Sequence, residues 1–164
     1  MAEIRIRKRR RLRNKDIKSI SEDITKVLDV DVFTDGDTVD LAESSDYELL
    51  FVNGKILGII YDGKPFLTIR GVLTYRPKNR WVTVDMGAVP YVTKGADIMA
   101  PGIVDADLTI CQGDLVWIRD EKNKVALAIG KSLMDGEDLI LKDEGKSILN
   151  IHHVGDRLWK LEEP

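Results

Sequence analysis

The densest chemistry in the chain is the run Arg7 to Arg13, in which six of seven residues are cationic. Guanidinium and ammonium groups at this density suit phosphate contact with a nucleic acid. The bland alternative is a solvated strand edge that charge keeps apart from other edges. The charge balance favours phosphate: residues 1–20 carry +7, the other 144 residues carry −10, and the whole chain carries −3. A protein of that balance cannot hold nucleic acid through its overall field and must use local patches, so Arg9, Arg10 and Arg11 are candidate contacts.

A second stretch, Val84 to Ile103, combines small residues with turn residues. Gly87, Ala88, Gly95, Ala96 and Gly102 leave the backbone open to close approach. A helix starting near Gly87 would turn its free N–H groups and dipole toward a phosphate, with Lys94 adding a point charge. The competing explanation is tight packing.

Other chemistry falls away on spacing. Gly130-Lys131-Ser132 and Gly145-Lys146-Ser147 resemble the end of a phosphate-binding loop, but the glycine needed five residues earlier is Val125 or Ile140. Asp31, Asp35 and Gly36 suggest a calcium loop whose third and twelfth positions, Phe33 and Ala42, cannot coordinate the ion. His152 and His153 are the only histidines, and adjacent strand residues point to opposite faces. Cys111 is the only cysteine, which excludes an intramolecular disulfide and a cysteine-based zinc site and fits a reducing, cytoplasmic compartment. The longest apolar stretch, Ile56 to Tyr61, is too short to cross a bilayer. No catalytic constellation stands out, so the expectation is a non-enzyme without cofactor or metal.

The elements that must position these residues follow from periodicity. Ile4 and Ile6 alternating with Arg5 and Arg7 predict a short strand over Ile4 to Arg13. Asn14 is the expected N-cap of a helix whose apolar face is Ile17, Ile20, Ile24, Val27 and Leu28. Tyr47 to Val52 and Lys55 to Tyr61 flank Asn53-Gly54, the pair suited to a two-residue hairpin. Asp62-Gly63 closes the second of these strands, and Pro65 to Ile69 starts a third. The polar stretch Tyr75 to Arg80 marks a domain boundary. Beyond it the pattern predicts a strand at Val82 and Val84, and a short helix with Pro90 in its first turn and Gly95 at its exit. Further strands are expected over Asp114 to Arg119, Lys124 to Lys131, Leu139 to Lys142 and His152 to Leu161, the last broken near Gly155.

Asp85-x-Gly87-Ala88, followed by Gly95-Ala96-x-x-Met99-x-Pro101-Gly102, resembles the signature of the PUA domain, an RNA-binding fold named from pseudouridine synthases and archaeosine transglycosylases. Gly113-Asp114, the strand Ala126 to Gly130, and Gly155-Asp156 also fit, so the likeness covers roughly 80–161. Asn150-Ile151-His152-His153 and Gly155-Asp156-Arg157-Leu158-Trp159 are similar to the C-termini of the malignant T-cell-amplified-sequence and ligatin-type translation factors. Those proteins place a small α/β domain first; Val52-Asn53-Gly54, Gly63-Lys64-Pro65-Phe66 and Tyr75-Arg76-Pro77 look like part of it. Eukaryotic relatives carry N-terminal cysteines that this chain lacks, which makes an archaeal-type member the natural reading.

The resemblance implies an α+β protein with a pre-PUA α/β domain over 1–78 and a PUA pseudo-β-barrel with short helices over 79–164. It implies RNA contact at Gly87, Ala88, Tyr91, Lys94, Gly95, Ala96 and Met99, with Arg157 and Trp159 on a final strand as further candidates. Tyr91 is placed to stack on a base. The implied partners are structured RNA (tRNA, at its acceptor end, or rRNA), the small ribosomal subunit or a translation-factor partner, and no membrane. Two other functions compete: an accessory role in tRNA or rRNA modification, and a protein-interaction adaptor that docks through the N-terminal hairpin edge.

Overall fold

A computed structural model of the chain describes residues 4–162. It is an α+β protein of two compact units, one formed by residues up to Lys78 together with those from Lys160 on, the other by Asn79–Trp159.

In the first unit β1 (Arg7–Arg11), β2 (Val39–Glu43), β3 (Glu48–Val52), β4 (Lys55–Tyr61) and β5 (Lys64–Leu67) make one antiparallel sheet in sequential order. Both tight turns have the geometry their residues favour. Asn53 and Gly54 lie at φ 51° and 85°, Asp62 and Gly63 at 50° and 75°, which is the left-handed pair that the twist of a two-residue hairpin demands. Pro65 sits in the edge strand β5, where its missing N–H costs no ladder bond. α1 (Asn14–Leu28) buries Ile24 and Leu28 and half-buries Ile17, Ile20 and Val27. α2 (Ile69–Tyr75) packs on β4 and β5.

Sequence and structure part at the start of the chain. β1 begins at Arg7 instead of Ile4, and all five of its residues are exposed, so no alternation underlies it. The N-cap of α1 is Arg13 and Asn14 is the first helical residue, with no side-chain cap bond. β2 and α2 were not anticipated. α2 is announced by Thr68, whose hydroxyl accepts the Gly71 N–H at 3.1 Å.

The second unit holds a six-stranded sheet in the order β7-β11-β10-β9-β6-β8. Its strands are β6 (Trp81–Val84), β7 (Ile98–Met99), β8 (Ile103–Ala106), β9 (Leu115–Asp120), β10 (Ala126–Ser132) and β11 (Lys146–His153). β6 and β9 pair in parallel, and the other pairs are antiparallel. Val82, Val84, Val116, Ile118, Ala128 and Ile148, all inaccessible, join Val92 and Leu139 in the core. Three helices are short: α3 (Val89–Val92), α4 (Gly136–Leu141) and α5 (Arg157–Leu161).

Two expected strands are corrected here. Leu139 to Lys142 falls in α4 and the residue after it, with Leu139 buried in the core while Ile140 and Leu141 are exposed. That is one buried residue per helical turn, not alternation. The final strand ends at His153, and α5 follows the Gly155 turn, so Arg157 and Trp159 are helical. The cause is Asp156, which accepts the Trp159 N–H at 2.8 Å through Oδ1 and caps the first turn.

Candidate nucleic-acid interface

The signature stretch folds into a groove built from its own turns. β6 ends at Val84, and the Asp85 N–H donates to Gly102 O at 2.9 Å. Asp85 then turns the chain by accepting the Ala88 N–H on both its carbonyl, at 3.1 Å, and Oδ1, at 2.8 Å. α3 follows, with Pro90 in its first turn and Val92 buried in the core. Its exit requires glycine twice over. Gly95 lies at φ +93°, and a Cβ there would come within 2.9 Å of His153 Nε2.

β11 holds this turn from behind. The Asn150 side-chain amide donates to Val92 O at 3.1 Å and Ala96 O at 3.0 Å, and its backbone N–H donates to Asp97 Oδ1 at 2.8 Å. Lys146 completes the brace with an ion pair of 3.0 Å to Asp97 Oδ2. Burial alone would push the Asp97 carboxyl up; the Asn150 N–H and the Lys146 ammonium together bring it below the usual carboxylate range.

The result is a cavity of about 350 Å³ in the second unit, lined among others by Asp85, Gly87, Tyr91, Asp97, Met99 and Pro101. Tyr91 is 68% exposed and Met99 48%, which leaves both open at the rim. The structure thus brings Gly87, Ala88, Tyr91 and Met99 to one groove, with Lys94 and Ala96 exposed on the adjoining turn.

One expectation fails in its physics. α3 is a single turn of four residues, too short for a useful dipole, and its entry is already occupied by a carboxylate. The Ala88, Gly95 and Ala96 N–H groups donate internally, to Asp85, Val92 and Tyr91. Gly95 and Gly102 serve turn geometry and close packing rather than bared donors: at Gly102 a Cβ would be 3.0 Å from Ala88 Cβ, whereas Gly87 is exposed with space around it.

Behind the groove, His152 is buried and its Nδ1 lies 2.8 Å from Asp156 Oδ2. Burial raises the Asp156 carboxyl, but His152 and the Trp159 and His153 N–H groups bring it below the ordinary value. Arg157 and Trp159 are both half-buried on α5. Among the described residues no group of three or more His, Cys, Asp or Glu could hold a metal ion. Among the described residues no helix is long and apolar enough to cross a membrane.

The arginine run lies on the edge of the first unit's sheet. A bulge between Arg7 and Arg10, with Lys8 at φ 52°, breaks its register against β2. Arg9 and Arg11 converge on Asp40, at 2.9 Å and 2.5 Å, and the Arg9 guanidinium lies 3.8 Å from the Phe51 ring centroid. The Arg11 hydrogen bond, with help from Arg9, holds the Asp40 carboxyl below its usual value. Lys8 approaches Glu43 at 3.9 Å. Arg10 is exposed and has no carboxylate partner among the described residues.

Sequence reasoning missed the residues that brace the groove, Asn150, Lys146, Asp97 and Asp85. Asn150, Lys146 and Asp97 act through contacts between β11 and the α3 turn, which no local spacing announces, whereas Asp85 makes a local turn bond to Ala88 that its position three residues earlier does announce.

Comparison with known proteins places these features in a family. The model of the PUA domain matches residues 80–154. An uncharacterised protein of Methanocaldococcus jannaschii is 36% identical over 159 residues, covering 96% of this chain and 98% of that one. Translation machinery-associated protein 20 of Eremothecium gossypii is 36% identical over 98 residues, 56% of this chain and 54% of that protein. Malignant T-cell-amplified sequence 1 of Rattus norvegicus is 33% identical over 119 residues, 70% of this chain and 65% of that protein. The match thus spans about half to two thirds of these two eukaryotic proteins. Among solved structures, a hypothetical protein of Pyrococcus horikoshii superposes with a TM-score of 0.83 at 33% identity, covering 95% of this chain and all of that one.

Proposed function

The chain belongs to the PUA-domain proteins, and from that premise we propose that it is a non-catalytic, cytoplasmic RNA-binding protein of the translation machinery. In this reading the PUA domain, 79–164, grips a tRNA acceptor end or a structured element of small-subunit rRNA, and the pre-PUA domain, 1–78, lends phosphate contacts. The observation that carries it is the groove beside α3, where Tyr91 and Met99 stand exposed over a cavity whose walls are held by Asn150 and Asp85. Large exposed apolar side chains on a braced backbone are what stacking on an unpaired base needs.

The division of labour follows from charge. The groove contributes stacking and hydrogen bonding, with Lys94 at its side. Arg10, together with the net positive charge left by Arg9 and Arg11 around Asp40, contributes the salt-dependent part. Arg157 and Trp159, half-buried on α5, rank below these as contacts.

The test is Tyr91→Ala in a fluorescence-anisotropy titration with tRNA. Loss of one stacked base, worth about 1–3 kcal/mol, weakens binding by roughly five- to 150-fold. Tyr91 is mostly exposed, so the melting temperature stays put. Unchanged affinity removes the groove from the RNA site.

A further inference from the structure

We propose that Arg119 is a preset phosphate-binding fork on the face of the second unit's sheet turned away from the core, and that it grips the RNA backbone together with Lys122 and Lys124 of the same hairpin. This rests on the reading of the chain as an RNA-binding protein and adds a contact to it outside the α3 groove.

Sheet register fixes the face. Val82, Val84, Val116 and Ile118 belong to the core of the second unit, so the residues between them on β6 and β9 point the other way. There Trp81 stands beside Trp117, and Thr83 stands beside both Arg119 and Asp105. The Arg119 guanidinium lies 4.0 Å from the Trp81 ring centroid and 5.6 Å from that of Trp117. Its Nε donates to the hydroxyl of the buried Thr83 at 2.9 Å. The Trp117 ring is itself tied, its N–H donating to Asn79 O at 2.8 Å. A long side chain is thus held in one orientation before any ligand arrives.

What the fold leaves over is the end of that side chain. Both terminal nitrogens of Arg119 reach solvent and have no hydrogen-bond partner among the described residues. Asp105 is near enough to act on the charge but makes no ion pair with it, and its Oδ1 accepts the Ala106 N–H. Half-buried, the guanidinium has lost part of its water without gaining a counterion. Burial draws its pKa below the usual arginine value, and Asp105 offsets this only in part. An oxyanion held by two parallel N–H bonds supplies what is missing.

A carboxylate and a phosphate both fit such a fork, and the neighbouring charges favour the phosphate. Lys122 and Lys124 are exposed on the turn that joins β9 to β10, and neither has a partner among the described residues. Asp120 is buried beneath that turn, where it accepts the Asn123 and Val125 N–H groups at 2.6 Å and 3.3 Å. Glu121 is left as the exposed acid of the turn. Elsewhere in the unit Arg80 and Lys146 are spent on Asp114 and Asp97. Unspent cations gathered on one hairpin suit a ligand whose negative charge repeats, as a nucleic-acid backbone does, better than a single carboxylate.

The experiment titrates the full chain with fluorescent tRNA at several salt concentrations, using the native protein and three variants whose folding is checked by circular dichroism. Arg119→Gln is expected to bind about tenfold more weakly or worse, and to flatten the slope of log affinity against log salt by roughly 0.7–0.9. Arg119→Lys keeps the charge but loses the fork and the stacking. Its slope is expected to stay while affinity falls about fivefold at every salt concentration. Asp105→Asn keeps an oxygen for the Ala106 N–H and removes the carboxylate that competes for the guanidinium, so about threefold tighter binding is expected.

An Arg119→Gln affinity within about twofold of the native value overturns the proposal and leaves the fork to a carboxylate of a protein partner. Native affinity in Arg119→Lys overturns the fork and leaves charge alone. Should the Arg119 variants fail to fold, Asp105→Asn decides, and binding no tighter than native overturns the proposal. If the native protein binds no tRNA, the RNA-binding reading falls together with this inference. If tRNA binding depends on Tyr91 and not on Arg119, only the present inference falls.

Discussion

Replacing Asp40 by asparagine should tighten RNA binding, against the usual expectation that loss of a native ion pair does harm. Arg9 and Arg11 share that one carboxylate, so the three side chains together present one net positive charge. Asp40→Asn raises this to two without adding a cation, and Arg10→Ala removes one positive charge from a residue with no carboxylate to lose. Each phosphate neutralised contributes roughly 0.9 to the slope of log affinity against log salt on a duplex and roughly 0.7 on a single strand. Asp40→Asn should therefore steepen the slope by about that amount, and Arg10→Ala should flatten it by as much. Between about 50 and 200 mM salt, a slope change of 0.9 alters the affinity ratio by roughly 3.5-fold. The stability cost is small, because exposed pairs of this kind contribute about 0–1 kcal/mol. Anisotropy titrations of tRNA across that salt range read both effects. Slopes that do not move, or that move the same way in both variants, would refute phosphate contact by this edge and leave β1 as a charged strand that resists pairing with other sheets.

Two glycines should behave oppositely. A Cβ at Gly71 would lie 2.0 Å from the Leu57 carbonyl oxygen, backbone against side chain, so Gly71→Ala should cost about 3 kcal/mol in urea unfolding of the first unit. Gly87 is exposed, and its Cβ would meet only Asp85 Oδ1 at 3.4 Å; Gly87→Val should change stability by no more than about 0.5 kcal/mol while weakening RNA binding at the groove. Acid should unfold the second unit through Asp156 and Asp97. Their folded values lie below the ordinary carboxylate value, so the stability they contribute is present above the unfolded value near 4 and is lost as pH falls through the folded ones. Asp156→Ala removes the partner of His152 and of two backbone N–H groups; a cost of about 1–3 kcal/mol and a shallower acid transition in a pH series of thermal melts are expected.

The legible parts of this fold were those fixed by residues next to one another. Asn53-Gly54 and Asp62-Gly63 dictate their hairpins because few other residues tolerate positive φ at both turn positions. Gly95 was recognisable as a helix exit for the same reason, although its second duty, yielding space to His153, depends on β11 and could not be read locally. The illegible parts were set by distant partners. Leu139-Ile140-Leu141 is apolar enough for a strand, and only the packing of Leu139 into the core of the second unit selects one and a half turns of helix. β1 has no apolar face at all; it is a strand because β2 is there to pair with. At the groove, the motif identified the right residues for partly the wrong reason. Its glycines and alanines suggested open backbone, whereas Asp85, Val92 and Tyr91 already take the N–H groups of Ala88, Gly95 and Ala96, and the exposed side chains of Tyr91 and Met99 are offered to a ligand instead.

The most direct measurement is photocrosslinking of 4-thiouridine-substituted tRNA to the intact protein, followed by mass spectrometry of the linked peptides. Crosslinks at Tyr91 or Met99 and at the β1 arginines, lost in Tyr91→Ala and in Arg10→Ala respectively, are the expected result. Crosslinks confined to other surfaces, with both of these segments unlabelled, would contradict RNA contact at the α3 groove and at the arginine edge.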